Sequence, residues 1–298
     1  MSKLNNEIPI KRSTTINYYG EGIPYIQRSE IRGRFIVVEG PDGSGRSTQI
    51  AMITSKLEAD GHAVLNTGLR RSELIGEGIL EAKRNFILGK RTVSLFYAAD
   101  FADQLENKII PALYAGFIVL ADRYIYTLLA RDAVRGIDRR WSHNLFGFAI
   151  KPDLVFYLNV DPSELVHRVF QKNSSLDYYE SGSDLGLSED MLDSFLIYQR
   201  MIAKEFYRMQ KRYRIVLING NRSITEINSD LQNNIDKFVS TITHELRTKL
   251  LEFDSIANYV LKNASRIVYK NRLQIPYNSE KLLEDYLVTL LLLYGNLK

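Results

Sequence analysis

Cysteine is absent from the 298 residues. That excludes disulfides, thiolate nucleophiles and cysteine metal sites. Histidine occurs only four times, scattered along the chain, too thinly to suggest a zinc site. No apolar run approaches the ~20 residues a membrane helix needs; the longest lies near Leu287 to Tyr294. The N-terminus lacks the basic-then-apolar layout of a signal peptide. Neither sign of charge dominates: 39 Lys and Arg face 35 Asp and Glu, a net +4. That balance suits anionic substrates without pointing to nucleic acid. No internal repeat or low-complexity tract occurs. These absences lead to the expectation of a soluble, cytoplasmic protein with neither a membrane nor a nucleic-acid partner. An apolar fraction of 45% and a charged fraction of 25% are ordinary for a globular chain. The length suits one large domain, or one domain plus a smaller one.

What is present begins at Arg34. The run Arg34-Phe35-Ile36-Val37-Val38-Glu39 is β-branched and apolar and ends at Gly40. Pro41-Asp42-Gly43-Ser44-Gly45-Arg46-Ser47-Thr48 follows, then a helical pattern. Gly40, Gly45 and Ser47 occupy positions of G-x-x-x-x-G-K-[ST], in the strand–loop–helix context that a phosphate-binding loop needs. The glycines let backbone N–H groups converge at the positive end of a helix. Gly40, Gly43, Ser44, Gly45, Arg46, Ser47 and Thr48 are thus the candidate nucleotide-binding residues, and the Ser47 hydroxyl is placed for Mg²⁺. Arg46 stands where the pattern has lysine. It keeps the charge on a larger, planar fork. The bland reading is a glycine-rich turn, which the surrounding pattern disfavours.

Strands are expected at 34–39, 62–66, 117–121, 154–158 and 215–218. They alternate with helices at 48–60, 73–88, 93–115, 125–135, 138–148, 162–170 and 191–213, with Pro111 kinking or breaking the third. This alternation predicts an α/β fold with a five-stranded parallel sheet covered by helices on both faces. Ligands of such sheets bind at the carboxyl ends of the strands. Residues 1–33 read as an arm. Its Tyr18, Tyr19 and Tyr25 are open to docking on the body or on a partner, and disorder is the alternative. Residues 34–223 form the core domain, and the polar stretch 171–190 reads as a lid. Residues 224–298 read as a helical extension, with helices expected at 238–253, 256–268 and 280–294. The last is apolar almost all round and needs a partner surface.

Several segments together resemble the thymidylate kinase family of nucleoside monophosphate kinases. Val38 to Gln49 is similar to the family's E-G-x-D-G-x-G-K-S-T-Q. Phe96-Tyr97-Ala98-Ala99-Asp100, Asp122-Arg123-Tyr124, Thr127, Ala130, and Pro152-Asp153 ahead of Asp161-Pro162 follow in family order. The resemblance runs from about Phe35 to Asn221. It implies a P-loop NTPase fold, ATP and Mg²⁺ as cofactors, a homodimer, and transfer of the ATP γ-phosphoryl group to a nucleoside 5′-monophosphate. Catalytic roles then fall on Arg46, Asp42, Asp122 and Arg123. Ser47 and Asp122 would hold the metal. Tyr97, Phe101, Arg70, Arg123, Arg131 and Tyr178 would meet the acceptor.

The differences from the family lie mostly on the acceptor side. Gly68 and Leu69 stand where the family has arginine and glutamate, with Arg70 and Arg71 close by to supply charge. Phe101 stands in place of an arginine, and Arg131-Asp132 in place of Y-Q. The lid holds Lys172 as its one basic residue, together with Tyr178 and Tyr179. Arg168 and Arg46 remain as candidates for neutralising the transferred group. A second reading follows: a catalytically weakened nucleotide-binding protein of the same fold that acts through protein partners. Two basic runs, Arg139-Arg140 and Lys211-Arg212-Tyr213-Arg214, stay outside either reading. The second ends a helix, where cations complement the dipole.

Overall fold

The computed structural model describes residues 16–24, 26, 31–84, 89–172, 178, 179 and 181–239. The sheet among these has five strands in the order β2-β3-β1-β4-β5, all paired in parallel. They are β1 (Arg34–Glu39), β2 (Val64–Gly68), β3 (Ile118–Asp122), β4 (Leu154–Asn159) and β5 (Val216–Asn219). β1 is the middle strand and every one of its residues is buried. A strand covered on both faces reads as a continuous apolar run, and Phe35-Ile36-Val37-Val38 is one. Pro152-Asp153 enters β4, and the Asp153 carboxylate accepts from the Phe35 amide at 2.8 Å.

Helices fill the connections: α1 (Arg46–Ala59), α2 (Gly76–Arg84), α3 (Lys90–Gln104), α4 (Ile110–Tyr114), α5 (Ile125–Val134), α6 (Arg139–Leu145), α7 (Pro162–Lys172) and α8 (Met191–Tyr213). α3 and α4 are joined by a π turn over Leu105–Ile109. The chain therefore stays helical through Pro111, where a break was the alternative. A wider turn just ahead of a proline resets the hydrogen-bond phase and absorbs its missing N–H. β2 starts two residues later than the apolar pattern suggests. It pairs through Gly68, which lies against β3 so closely that a Cβ there would sit 2.3 Å from the Asp122 carbonyl oxygen. Only glycine allows that approach.

α9 runs over 224–239. Ser223 and Glu226 begin it with a reciprocal capping box: the Ser223 amide donates to Glu226 (3.1 Å), and the Glu226 amide to Ser223 Oγ (3.3 Å). Ile227, Leu231, Ile235 and Phe238 form a buried stripe at helical spacing. Gln49 of α1 donates to the Ile224 carbonyl and accepts from Asn228, at 2.9 and 3.0 Å. This helix thus packs on the body by contacts with α1, although its residues fall in the stretch read as an extension. The helices expected at 256–268 and 280–294, and all but the start of the one at 238–253, lie outside the described residues.

Of the arm, Tyr18 and Tyr19 dock on the body. Tyr18 bridges to Ile150, and the Tyr19 hydroxyl meets that of Tyr126 at 2.5 Å. The Tyr19 ring also stands edge-on to Tyr213 at 5.3 Å. Tyr25 lies outside the described residues.

Candidate active site

The turn from β1 to α1 passes through Gly40, Gly43 and Gly45 with φ of +156°, +79° and +89°. These left-handed angles suit glycine and swing the chain back toward the sheet. Gly45 is the N-cap of α1 and offers no side-chain cap, and the first turn holds no acidic residue. Among the described residues, the leading amides of this 14-residue helix are given no side-chain cap. That is the arrangement in which an anion such as a phosphate binds. Ser44 is buried under the loop, while Ser47 and Thr48 are exposed at the start of α1.

β1 and β3 are neighbours in register, Val38 facing Asp122, so the loop and Asp122-Arg123 lie side by side at one sheet edge. The Arg123 amide extends that pairing to the Val38 carbonyl at 3.0 Å. Arg123 itself has φ +70°. Arg46 folds back over the loop. Its Nε donates to Asp122 Oδ1 at 2.7 Å, its Nη1 to the carbonyls of Gly40 and Pro41, and its Nη2 lies 3.3 Å from Asp42. Arg123 Nη2 pairs with the same Asp42 oxygen at 2.8 Å, and its Nε reaches the Gly40 carbonyl at 3.3 Å. Two guanidinium groups and two carboxylates thus close one network across the loop mouth. A planar fork with five donors can span these partners; an ammonium cannot.

Asp122 Oδ2 accepts from Ser47 Oγ at 3.3 Å. This hydroxyl–carboxylate pair is an all-oxygen donor set, which suits Mg²⁺. Among the described residues no group of three or more His, Cys, Asp and Glu could hold a metal. A magnesium ion here would take its remaining ligands from substrate phosphate and water, its usual preference. Arg168 of α7 lies beside the loop, its Cβ 3.5 Å from where a Cβ on Gly43 would be. Its Nε is held by Glu164 at 2.8 Å.

Glu39 is fully buried below the loop. Its carboxylate accepts from the Tyr124 and Thr127 amides at 2.9 and 3.3 Å and from the Thr127 hydroxyl. It therefore caps the N-terminus of α5 from another strand. Burial pushes its pKa above the ordinary carboxylate value, and these hydrogen bonds oppose the shift. Glu39 is thus a brace between the loop strand and α5.

α5 carries Arg131 and Asp132 into a cavity of about 270 Å³ lined also by Tyr97, Arg135, Tyr178 and Asp184. Arg131 lines, in addition, a narrow slot beside Asp42, Arg123 and Thr127. It thus joins the cavity to the loop. Three residues picked from the sequence as acceptor contacts, Tyr97, Arg131 and Tyr178, come together here. Phe101 does not join them. It is fully buried and stands edge-on to Tyr124 at 5.0 Å. The expectation of an acceptor contact at Phe101 is corrected: one helical turn past Tyr97, the ring points into the core and shows no face to a ligand. Arg70 and Arg71 are exposed on the turn after β2, and neither lines the cavity or the slot. Asp132 is buried and accepts from Ser94 and Ser142 at 2.6 and 2.7 Å. Burial raises its pKa, and the two hydroxyls work against that.

Two organising residues carried no assigned role in the sequence. Asp100 accepts from the Arg70 and Ser72 amides at 2.8 and 2.9 Å and from Gln104 at 2.9 Å, fixing the turn after β2. Its place in Phe96-Tyr97-Ala98-Ala99-Asp100 was the available signal. Arg135 makes a bidentate pair with Asp184 (2.8 and 3.0 Å) and donates to the Tyr198 hydroxyl (2.7 Å) and the Tyr179 carbonyl (2.9 Å). It ties the stretch read as a lid to α5 and α8, and nothing in the local sequence marks it.

Comparison with known proteins bears on all of these segments. The family model for thymidylate kinase matches residues 38–231. A protein named "Probable thymidylate kinase 2" from Saccharolobus solfataricus is 35% identical over 210 residues, covering 70% of this chain and 98% of that relative. The "Thymidylate kinase" of Shouchella clausii is 30% identical over 218 residues, 70% of this chain and 97% of its own length. The "Probable thymidylate kinase" of Pyrococcus abyssi is 29% identical over 223 residues, 72% and 98%. The matched span contains the loop, Asp122-Arg123 and the α5 cavity, and begins after the docked arm.

Proposed function

The chain belongs to the thymidylate kinase family and is a nucleoside monophosphate kinase, and from that premise we propose how its cleft divides the work. The loop amides, Arg46 and Ser47 hold the phosphates of ATP. The cavity beneath α5 takes the base and sugar of a nucleoside 5′-monophosphate, with Tyr97 and Tyr178 as its aromatic walls. The slot between them, lined by Asp42, Arg123 and Arg131, receives the acceptor phosphate. The observation that carries this reading is Arg131: it lines both the cavity and the slot that runs to the loop.

Phosphoryl transfer asks for positioning and charge neutralisation more than for covalent chemistry. Arg123 and Arg131 offer planar donors to a dianionic phosphate. Asp42 Oδ1, bound to both Arg46 and Arg123, screens the two cations from each other and fixes them at the mouth. When Mg²⁺ is bound by Ser47 and Asp122, it supplies charge neutralisation on the donor phosphates. Arg46 must leave at least one of its loop carbonyls to reach a phosphate, a change of partners within one rotamer step.

Family likeness extends the proposal to a homodimer working in the cytoplasm. No helix among the described residues is long and apolar enough to cross a membrane. The acceptor need not be dTMP, because Phe101 is a core residue and Asp132 is committed to two serines. Coupled ADP-release assays across deoxy- and ribonucleoside monophosphates, with ATP and Mg²⁺, test the reading. Turnover is expected with at least one of them. None with any, while ATP still binds, overturns it.

A further inference from the structure

The two basic runs that stood apart in the sequence meet in space. Arg139, Arg140 and His143 of α6 and Arg208, Arg212 and Tyr213 of α8 line one cavity of about 600 Å³, with Leu129 and Met209 as its apolar floor. It shares no lining residue with the acceptor cavity.

Four guanidinium groups face one carboxylate. Glu205 pairs with Arg139 and Arg208, both at 2.6 Å. Among the described residues Arg140 has no ion-pair or hydrogen-bond partner, and Arg212 has only the Tyr213 ring, 5.4 Å from its guanidinium carbon. Helix electrostatics does not account for the grouping. Arg212 complements the end of α8, but Arg139 and Arg140 open α6, where the dipole disfavours cations. Nor does the ring of His143 answer the charge. Its Nδ1 donates to the Arg139 carbonyl and its Nε2 meets the Tyr213 hydroxyl, both at 2.6 Å. Burial lowers its pKa, and Arg212 and Arg139 add to that.

We propose that this cavity is a second anion site, which binds a phosphorylated small molecule of nucleotide size. The arginine forks take phosphate oxygens, and Leu129, Met209 and Tyr213 receive the apolar part. Concavity favours a small ligand over a nucleic-acid backbone, which needs a basic track on an open surface. The site has a physical route to the reaction. Ser142, part of its lining, donates to Asp132 at 2.7 Å, and Asp132 lines the acceptor cavity. An occupant of one cavity therefore sits one side chain away from the wall of the other.

Calorimetric titration of the full chain with tripolyphosphate in low salt tests the site. Two binding events per chain are expected, one at the loop and one here. Arg140→Ala/Arg212→Ala should weaken one event by roughly tenfold or more and leave the other in place. Both side chains are exposed, so the fold should tolerate their loss, and Arg140→Lys/Arg212→Lys, which keeps the charge, should retain much of the second event. A single event in the unaltered chain overturns the proposal, as does a second event indifferent to Arg140 and Arg212. Tighter, arginine-dependent binding of a 20-nucleotide single strand also overturns it and gives the surface to nucleic acid.

Discussion

On the donor side of the cleft, two short segments, Gly40 to Thr48 and Asp122-Arg123, supply the charged network across the loop mouth. Neighbouring strands bring them together in register. On the acceptor side, Tyr97 comes from α3, Arg131 and Asp132 from α5, Arg135 from its C-cap, and Tyr178 and Asp184 from the stretch before α8. No strand pairing fixes these three segments against one another. They depend on helix packing and on the tether from Arg135 to Asp184 and Tyr198. A site held by backbone pairing tolerates little change in side-chain chemistry. One assembled from helix faces can be rewritten residue by residue while the fold persists. This chain shows both: a nearly intact loop beside an acceptor wall that differs from the family at several positions.

The largest effect expected is at Arg46. Arg46→Ala removes the one loop cation and takes a donor from Asp122 Oδ1 and from the Gly40 and Pro41 carbonyls. Loss of one such charge-stabilising group costs roughly 10²–10³-fold in kcat. Arg46→Lys sharpens the comparison further. Lysine restores the common loop residue but cannot hold Asp122, Asp42 and the carbonyls together. A fall in kcat of roughly tenfold, about 1.4 kcal/mol, is expected if the donor side is fitted to arginine. A gain over the unaltered protein would mean a degraded donor side and would favour the reading as a weakened nucleotide binder.

Glu39 ties the two sides together, because it caps the helix that carries the acceptor residues. Glu39→Ala orphans buried donors at Tyr124 and Thr127 and should cost about 2–3 kcal/mol of stability in urea unfolding. It should also raise the KM of the acceptor more than that of ATP, since α5 and not α1 loses its anchor. An equal rise in both would erase the distinction between a strand-held and a helix-held side. The pH dependence has a definite sign. A carboxylate whose native pKa is raised by burial is more stabilising while protonated. Stability contributed by Glu39 is therefore present below the ordinary glutamate range and lost as pH rises through its native pKa. Glu39→Ala should flatten that slope.

What the sequence disclosed follows the same division. The loop, the parallel sheet and Asp122-Arg123 were legible because their signals are local: β-branched runs, glycines at fixed offsets, and a carboxylate ending a strand. Tyr97 was picked out by resemblance, Arg131 as a departure from the family pattern and Tyr178 as a lid aromatic, and the structure brings them to one cavity. Phe101 was misplaced because sharing a helix face with Tyr97 does not put it in the cavity: both side chains are buried, and the lining stops at Tyr97, one turn short of Phe101. Arg135 was missed because its partners lie 49 and 63 residues away in the chain. α9 hid in a stretch without strands, although Ser223 to Glu226 spells a capping box.

The smallest effect, and the most direct probe of the acceptor side, is at Tyr97. Its ring lines the cavity while its body belongs to the core cluster. Tyr97→Leu keeps most of the apolar volume and removes the aromatic face and hydroxyl. If a base stacks there, losing one aromatic partner costs about 1–1.5 kcal/mol, roughly a tenfold rise in acceptor KM. The KM for ATP should stay put, because no loop residue touches this wall of the cavity. Steady-state kinetics below the unfolding temperature separates binding from any loss of stability. An unchanged acceptor KM would remove Tyr97 from the site and leave Tyr178 as the aromatic that a base would need. The acceptor side would then be held by the tethered stretch alone, and its dependence on Arg135 would become the stronger test of how the two sides differ.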